Sequence, residues 1–116
     1  MSAIFLDAEA VAQIDRDAAV AAVDAWFAGQ IAAGFTTAGG WALGLRPEDV
    51  TLLTGNFVLA KEAAALNMPI PPVIDNAGVP HDIESVEALT AVMLAYGQHR
   101  ASISAEYAAK KAAILG

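Results

Sequence analysis

The 116-residue chain reads as a mainly α domain in which three helices alternate with two short β-hairpins, in the order α-ββ-α-ββ-α, with a long C-terminal helix. Three observations predict this. Ala supplies close to a quarter of the residues, and Ala favours helix more than any other residue. Three long stretches repeat apolar residues at every third or fourth position. Between them lie two short segments, 35–45 and 70–83, with the Gly, Pro and β-branched content of tight turns between short strands.

The elements follow in chain order. Ile4, Phe5 and Leu6 form a short apolar arm, and Asp7 suits an N-cap with Glu9 in the first turn. A first helix is expected from about Ala8 to Ala33. Val11, Ile14 and Ala18 lie on an earlier turn of its stripe, which continues through Val20, Val23, Phe27 and Ile31, and Gly34 follows as the stop. Phe35 to Leu45 reads as a hairpin turning at Gly39-Gly40, anchored by Phe35 and Trp41. Pro47 fits a first helical position with Glu48 and Asp49 behind it, and the second helix runs to about Leu66 on a stripe of Val50, Leu53 and Phe57. Gly55 within it suggests a close helix crossing. Asn67 can end that helix in the left-handed region, and Pro69 cannot continue it. Val73-Ile74 and the segment from Val79 form a second hairpin around Asp75-Asn76-Ala77-Gly78, with Pro80 at an edge. Asp82 or Ser85 caps the last helix, which runs to about Leu115.

That last helix carries Leu89, Met93, Tyr96, Ile103, Tyr107 and Ile114 in alternating steps of four and three, with Arg100 and Lys110 as polar interruptions. Its length would be about 45 Å, several times the radius of gyration of about 13 Å expected of a compact domain. It must lie along the first helix or project to meet another chain. Gly97 is a place where it could bend. The organisation expected is a single domain over 1–116: an arm over 1–6, a helix and hairpin core over 8–84, and a long helix over 85–115 suited to oligomerisation.

Composition narrows the function. The net charge of −7 leaves no clustered basic surface for nucleic acid, and Lys110-Lys111 are read as cations near a helix C-terminus. With no Cys, thiolate chemistry and disulfides are excluded. The N-terminus lacks a basic region and a long apolar run, so synthesis in the cytoplasm without a secretion signal is expected. No stretch approaches the roughly 20 apolar residues of a membrane span.

Chemistry-bearing patterns are sparse. His81 beside Asp82, with Asp75 across the second hairpin, is the one cluster resembling a metal site, and it reads more simply as solvated turn residues. His99 stands alone beside Arg100. Ser85 reads as a cap, and a Ser104–His99 pairing is disfavoured against plain helix surface. Gly39-Gly40-x-x-x-Gly44 is followed by Arg46-Pro47, which is hairpin chemistry and not a phosphate loop. Trp26, Trp41, Phe35 and Phe57 are expected in the core. No catalytic residue, metal ligand or cofactor is assigned, and the chain is read as a non-enzyme.

The order of motifs carries a resemblance. Ile31-Ala-Ala-Gly34-Phe35 leads into the first hairpin, and Leu53-Thr54-Gly55-Asn56 lies in the second helix. Val73-Ile74-Asp75-Asn76 precedes the long helix from Leu89 through Tyr96-Gly97 to Tyr107-Ala-Ala-Lys-Lys-Ala-Ala-Ile114. Over residues 12–116 this resembles an uncharacterised domain family of bacteriophage and prophage tail proteins, often fused to or encoded beside tail-fibre and tail-fibre-assembly proteins. The family commonly has an aromatic where this chain has Val73 and Ile74, and the segment 39–47 is more apolar than its usual hairpin. The resemblance implies a structural component of a virion, in a tail, tail fibre or head fibre. Made in the host cytoplasm, it would form a homo-oligomer, a trimer or hexamer, and contact other virion proteins. A tail-fibre assembly chaperone is the alternative, and a small enzyme or ligand-binding module is the alternative from another class. The interface residues expected are Met93, Tyr96, Arg100, Ile103 and Tyr107.

Overall fold

A computed structural model describes residues 8–116, and its elements follow the predicted order: α1 (Ala8–Ala33), β1 (Phe35–Thr36), β2 (Ala42–Leu43), α2 (Pro47–Ala65), β3 (Val73–Ile74), β4 (Pro80–His81) and α3 (Val86–Leu115). The expected arm over 1–6 and the Asp7 cap fall outside the described residues. α1 stops at Gly34, whose φ of 75° is open to glycine, and a Cβ there would lie 2.6 Å from the Leu43 carbonyl oxygen. α2 begins at Pro47 and ends before Asn67, which takes φ 55°. Of the two caps considered for α3, Ser85 serves: its Oγ accepts the Ala88 N–H at 3.0 Å.

The two hairpins share one loop design. In the first, the Thr37 N–H donates to the Trp41 carbonyl at 2.9 Å and the Gly40 N–H to the Thr37 carbonyl at 3.0 Å. In the second, Asp75 N–H donates to Val79 at 2.9 Å and Gly78 N–H to Asp75 at 3.0 Å. Gly40 and Gly78 hold the same positive-φ position, at 87° and 84°. The registers match too, with Phe35 opposite Leu43 and Val73 opposite His81. The chain thus repeats a hairpin-then-helix unit after α1. The hairpins touch each other, because the Asn76 N–H donates to the Ala42 carbonyl at 2.8 Å and the Trp41 ring stacks on His81 at 4.2 Å.

The core sits where the hairpins, α2 and α3 converge. Leu45 and Leu89 are fully buried, and Leu43, Leu53, Ala60, Val73, Tyr96 and Ile103 join them. Trp26, Phe27, Phe35, Trp41 and Phe57 are partly buried around this cluster, as aromatic anchors should be. α1 contributes no fully buried residue and lies on the outside of the arrangement. It runs antiparallel to α3: Phe27 stacks on Tyr107 at 4.4 Å, and Phe35, just past the end of α1, meets Tyr96 edge-on at 5.9 Å. In that register α3 ends level with Ala19, and residues 8–18 run beyond it, about 16 Å of helix. Val11 and Ile14 are accordingly exposed.

The molecule is a rod of 80 × 25 × 21 Å, with a radius of gyration of 21.0 Å. Of the two alternatives for the long helix, the structure shows the first: α3 lies along α1, and it is the N-terminal part of α1 that extends beyond the pair. One expectation is corrected. Gly55 is not at a helix crossing, since a Cβ there would meet nothing within 4 Å, and it sits on an exposed face of α2. α3 is continuous from Val86 to Leu115.

Candidate functional site

The five residues expected at an oligomer interface are engaged inside the chain. Ile103 and Tyr96 are buried. The Tyr96 hydroxyl donates to the Gly44 carbonyl at 2.6 Å, and Arg100 Nε donates to the Leu45 carbonyl at 3.0 Å. These two bonds tie α3 to the link between β2 and α2 and satisfy carbonyls with no strand partner. Burial pushes the Tyr96 phenol above its ordinary pKa. Tyr107 donates to Asp24 Oδ1 on α1 at 2.5 Å and accepts from Lys111 at 3.3 Å. Met93 lies with Tyr96 and Arg100 along a groove of about 300 Å³ between α2 and α3, beside Val50 and Thr54. The seam that the sequence offered to a second chain is covered by α1, the first hairpin and α2, because the antiparallel register brings α1 against it.

The start of α2 is held by charge. The Asp49 carboxylate accepts the Arg46 N–H at 3.1 Å and the Arg46 Nε at 3.0 Å. The Arg46 hydrogen bond, foremost, holds the Asp49 carboxyl below the usual range. Beside it, a Cβ on Gly44 would run into that carboxylate, so a larger residue there would have to displace Asp49.

In the second hairpin His81, opposite Val73, reaches diagonally to Asp75 at 2.7 Å. Asp75 Oδ1 also accepts the N–H groups of Ala77 (2.8 Å) and Val79 (2.9 Å). The His81 hydrogen bond, then the Val79 N–H, hold the Asp75 carboxyl low. Asp82 is exposed and takes no part in this pair. Among the described residues no group of three or more His, Asp or Glu side chains is placed to hold a metal ion. A half-open cleft of about 350 Å³ lies between this hairpin and α2, lined by Leu53, Asn56, Val73, Asp75, Asp49 and Tyr96 among others. Its ionisable lining groups, Arg46, Asp49, Asp75 and Tyr96, each hold a hydrogen bond described above. His99 lies against the Phe35 ring at 5.4 Å, whereas Ser104 lines the α2 groove, so the two are on different sides of α3.

What remains open is a set of outward helix faces. Opposite its α3-facing stripe, α1 carries Val11, Ile14, Ala18, Ala21, Ala25, Ala28 and Ala32, all exposed, in alternating steps of three and four. Opposite its own buried stripe, α3 carries Leu94, Gln98, Ala101, Ala105, Ala108, Ala112 and Leu115, also all exposed and also at heptad spacing. The exposed face of α2 presents Leu52, Leu59 and Leu66. Sequence reading missed the Ala rows because an Ala counts equally toward helix propensity and toward close packing. The signal available was phase: the sequence reading joins Val11, Ile14 and Ala18 to the stripe of Val20, Val23, Phe27 and Ile31, whereas the structure puts those three on the opposite, exposed side of α1. No described helix is long and apolar enough to cross a membrane. Compared with protein-family models, characterised proteins and solved structures, the chain matches none of them.

Proposed function

We propose that this chain is a non-catalytic structural component of a phage-like particle, associated with a tail, tail fibre or head fibre, that works by helix-mediated contacts with copies of itself and with neighbouring virion proteins. The observation that carries the assembly part is the exposure of large apolar side chains along all three helices: Leu52 at 70%, Leu66 at 69%, Leu115 at 63%, Leu94 at 61% and Ile14 at 53%. Single exposed apolar residues are ordinary, but rows of them in helical phase are suited to covering by another protein. The particle setting rests on the order of motifs over residues 12–116. The ionisable groups around the main cleft serve local architecture, which favours a scaffold over an enzyme.

The test is quantitative mass spectrometry of particles purified from the producing culture. A fixed number of copies per particle is expected. Recovery only in lysate complexes with fibre protein would replace this reading with an assembly chaperone, and absence from both would overturn it.

A further inference from the structure

We infer that two copies of the chain pair through the exposed face of α2, their α2 helices crossing at Gly55 about a two-fold axis. This rests on the assembly reading above and specifies one self-contact within it.

Gly55 lies well inside α2, where glycine is the least favourable of the ordinary residues after proline. Nothing within the chain requires it, because a Cβ at that position would meet no atom within 4 Å. Alanine would suit the isolated fold better. Gly29 and Gly97 also face open space, but in other settings. Gly29 stands among the exposed Ala25, Ala32 and Ala33, and Gly97 lines the groove between α2 and α3. Gly55 has large apolar side chains one turn away on either side, Leu52 before it and Val58 and Leu59 after it, all exposed. A gap in the middle of such a face lets a second helix come to the short end of the usual 8–10 Å axis separation, with the flanking side chains packed beside it.

The face is of the size an interface needs. Leu52 and Ile74 line one cleft, which joins α2 to the second hairpin. Val58 and Leu66 line one groove with Phe57 farther along the helix. With Leu59, these exposed side chains present on the order of 500 Å² of apolar surface, at the upper end of what a monomer leaves open in one patch. Homodimer interfaces are roughly 65% apolar, so that area corresponds to about 800 Å² per copy, the standard size. No ionisable residue occurs between 51 and 60, so three turns of α2 are apolar or neutral all round, as suits a helix covered on both sides.

The occupant is a second copy. A helix entering at Gly55 has to be small at the crossing point and apolar one turn to each side, or Leu52 and Leu59 stay uncovered. The α2 of another copy has that profile. A two-fold axis sets Gly55 against itself, Leu52 beside Val58 of the partner subunit and Leu59 beside Thr51 of the partner subunit. Crossing at about 50° also carries the ends of the two helices apart, so Glu48 and Glu62 of the two copies are not pressed together. Such a contact is isologous and closed, and it leaves the outer faces of α1 and α3 free for neighbouring proteins.

Substitution of Gly55 separates assembly from folding by sign. Gly55→Ala and Gly55→Leu raise helix propensity and have room in the isolated chain, so circular dichroism should hold and the urea midpoint of the dilute chain should rise. The same changes fill the gap at the crossing. Sedimentation velocity of the wild-type chain should give twice 11.9 kDa. Gly55→Ala should raise the dimer Kd roughly tenfold, and Gly55→Leu should leave 11.9 kDa. Ala105→Glu, exposed on α3, should keep the wild-type mass. The inference is overturned if Gly55→Leu keeps the wild-type mass, if Ala105→Glu disperses it, or if the wild-type chain shows any mass other than the dimer's. In each of those cases the particle measurement still decides the broader reading.

Discussion

The inner and outer faces of the two long helices are built from different residues for different tasks. Inside, α3 offers Leu89, Tyr96, Ile103 and Tyr107, and α1 answers with Trp26, Phe27 and Ile31. Outside, the same helices offer mostly Ala. The bulky side fixes one register through specific contacts, such as the Phe27–Tyr107 stack and the Tyr107–Asp24 hydrogen bond. The small side makes no contact that fixes anything within the chain. The difference teaches that heptad phase alone does not say whether a helix row folds a protein or assembles it.

The contrast can be broken most forcefully from the inside. Ile103→Asp puts an unpaired carboxylate into the core at a 5% exposed position, and should cost roughly 3 kcal/mol or more. Urea unfolding followed by circular dichroism should show a much lower midpoint, or no cooperative transition at all. An unchanged midpoint would move Ile103 out of the core. Tyr96→Phe comes next. It leaves the Gly44 carbonyl without its donor and should cost about 1–1.5 kcal/mol by the same assay, with Phe filling the ring volume.

Acid should weaken the fold through the second hairpin and the start of α2. The Asp75 and Asp49 carboxyls are held below their usual range by His81 and Arg46 respectively. Their folded values lie below the unfolded ones, so the stabilisation is complete above the unfolded value of about 3.9 and is lost as pH falls through the folded values. Urea midpoints should therefore drop on going from about pH 5 to about pH 2, and Asp75→Asn should remove part of that drop. A variant with the full wild-type acid response would show that the Asp75 bonds contribute nothing. The smallest effect belongs to the outer face: Ala108→Gln, at an exposed position, should change the unfolding free energy by no more than about 0.5 kcal/mol.

Much of this architecture was legible in the residues. Gly34, Pro47, Asn67 and Ser85 mark helix ends by backbone chemistry that leaves few options, and Gly40 and Gly78 mark turns for the same reason. The nearness of His81 and Asp75 was legible from the hairpin, but in the sequence they read as solvated turn residues, and the structure makes them a part-buried hydrogen-bonded pair. What was not legible depends on relations between distant elements. The buried stripe of α3 left two options open in the sequence, pairing with α1 or with another chain, because nothing local chooses between them; in the structure α1 lies along it. The Arg100 and Tyr96 bonds to Leu45 and Gly44 cross more than fifty residues. Thr37 is a further case, buried at 6% exposure with an Oγ1 that has no hydrogen-bond partner, in the position that Asp75 fills in the second hairpin. Nothing in the structure explains why that hydroxyl is there.

The division of labour between faces is tested most directly by light scattering of the wild-type chain over a dilution series, with circular dichroism on the same samples. The account predicts a multiple of 11.9 kDa that falls to 11.9 kDa on dilution while the helical signal stays constant. A mass of 11.9 kDa at every concentration, or dissociation that takes the helical signal with it, would contradict it.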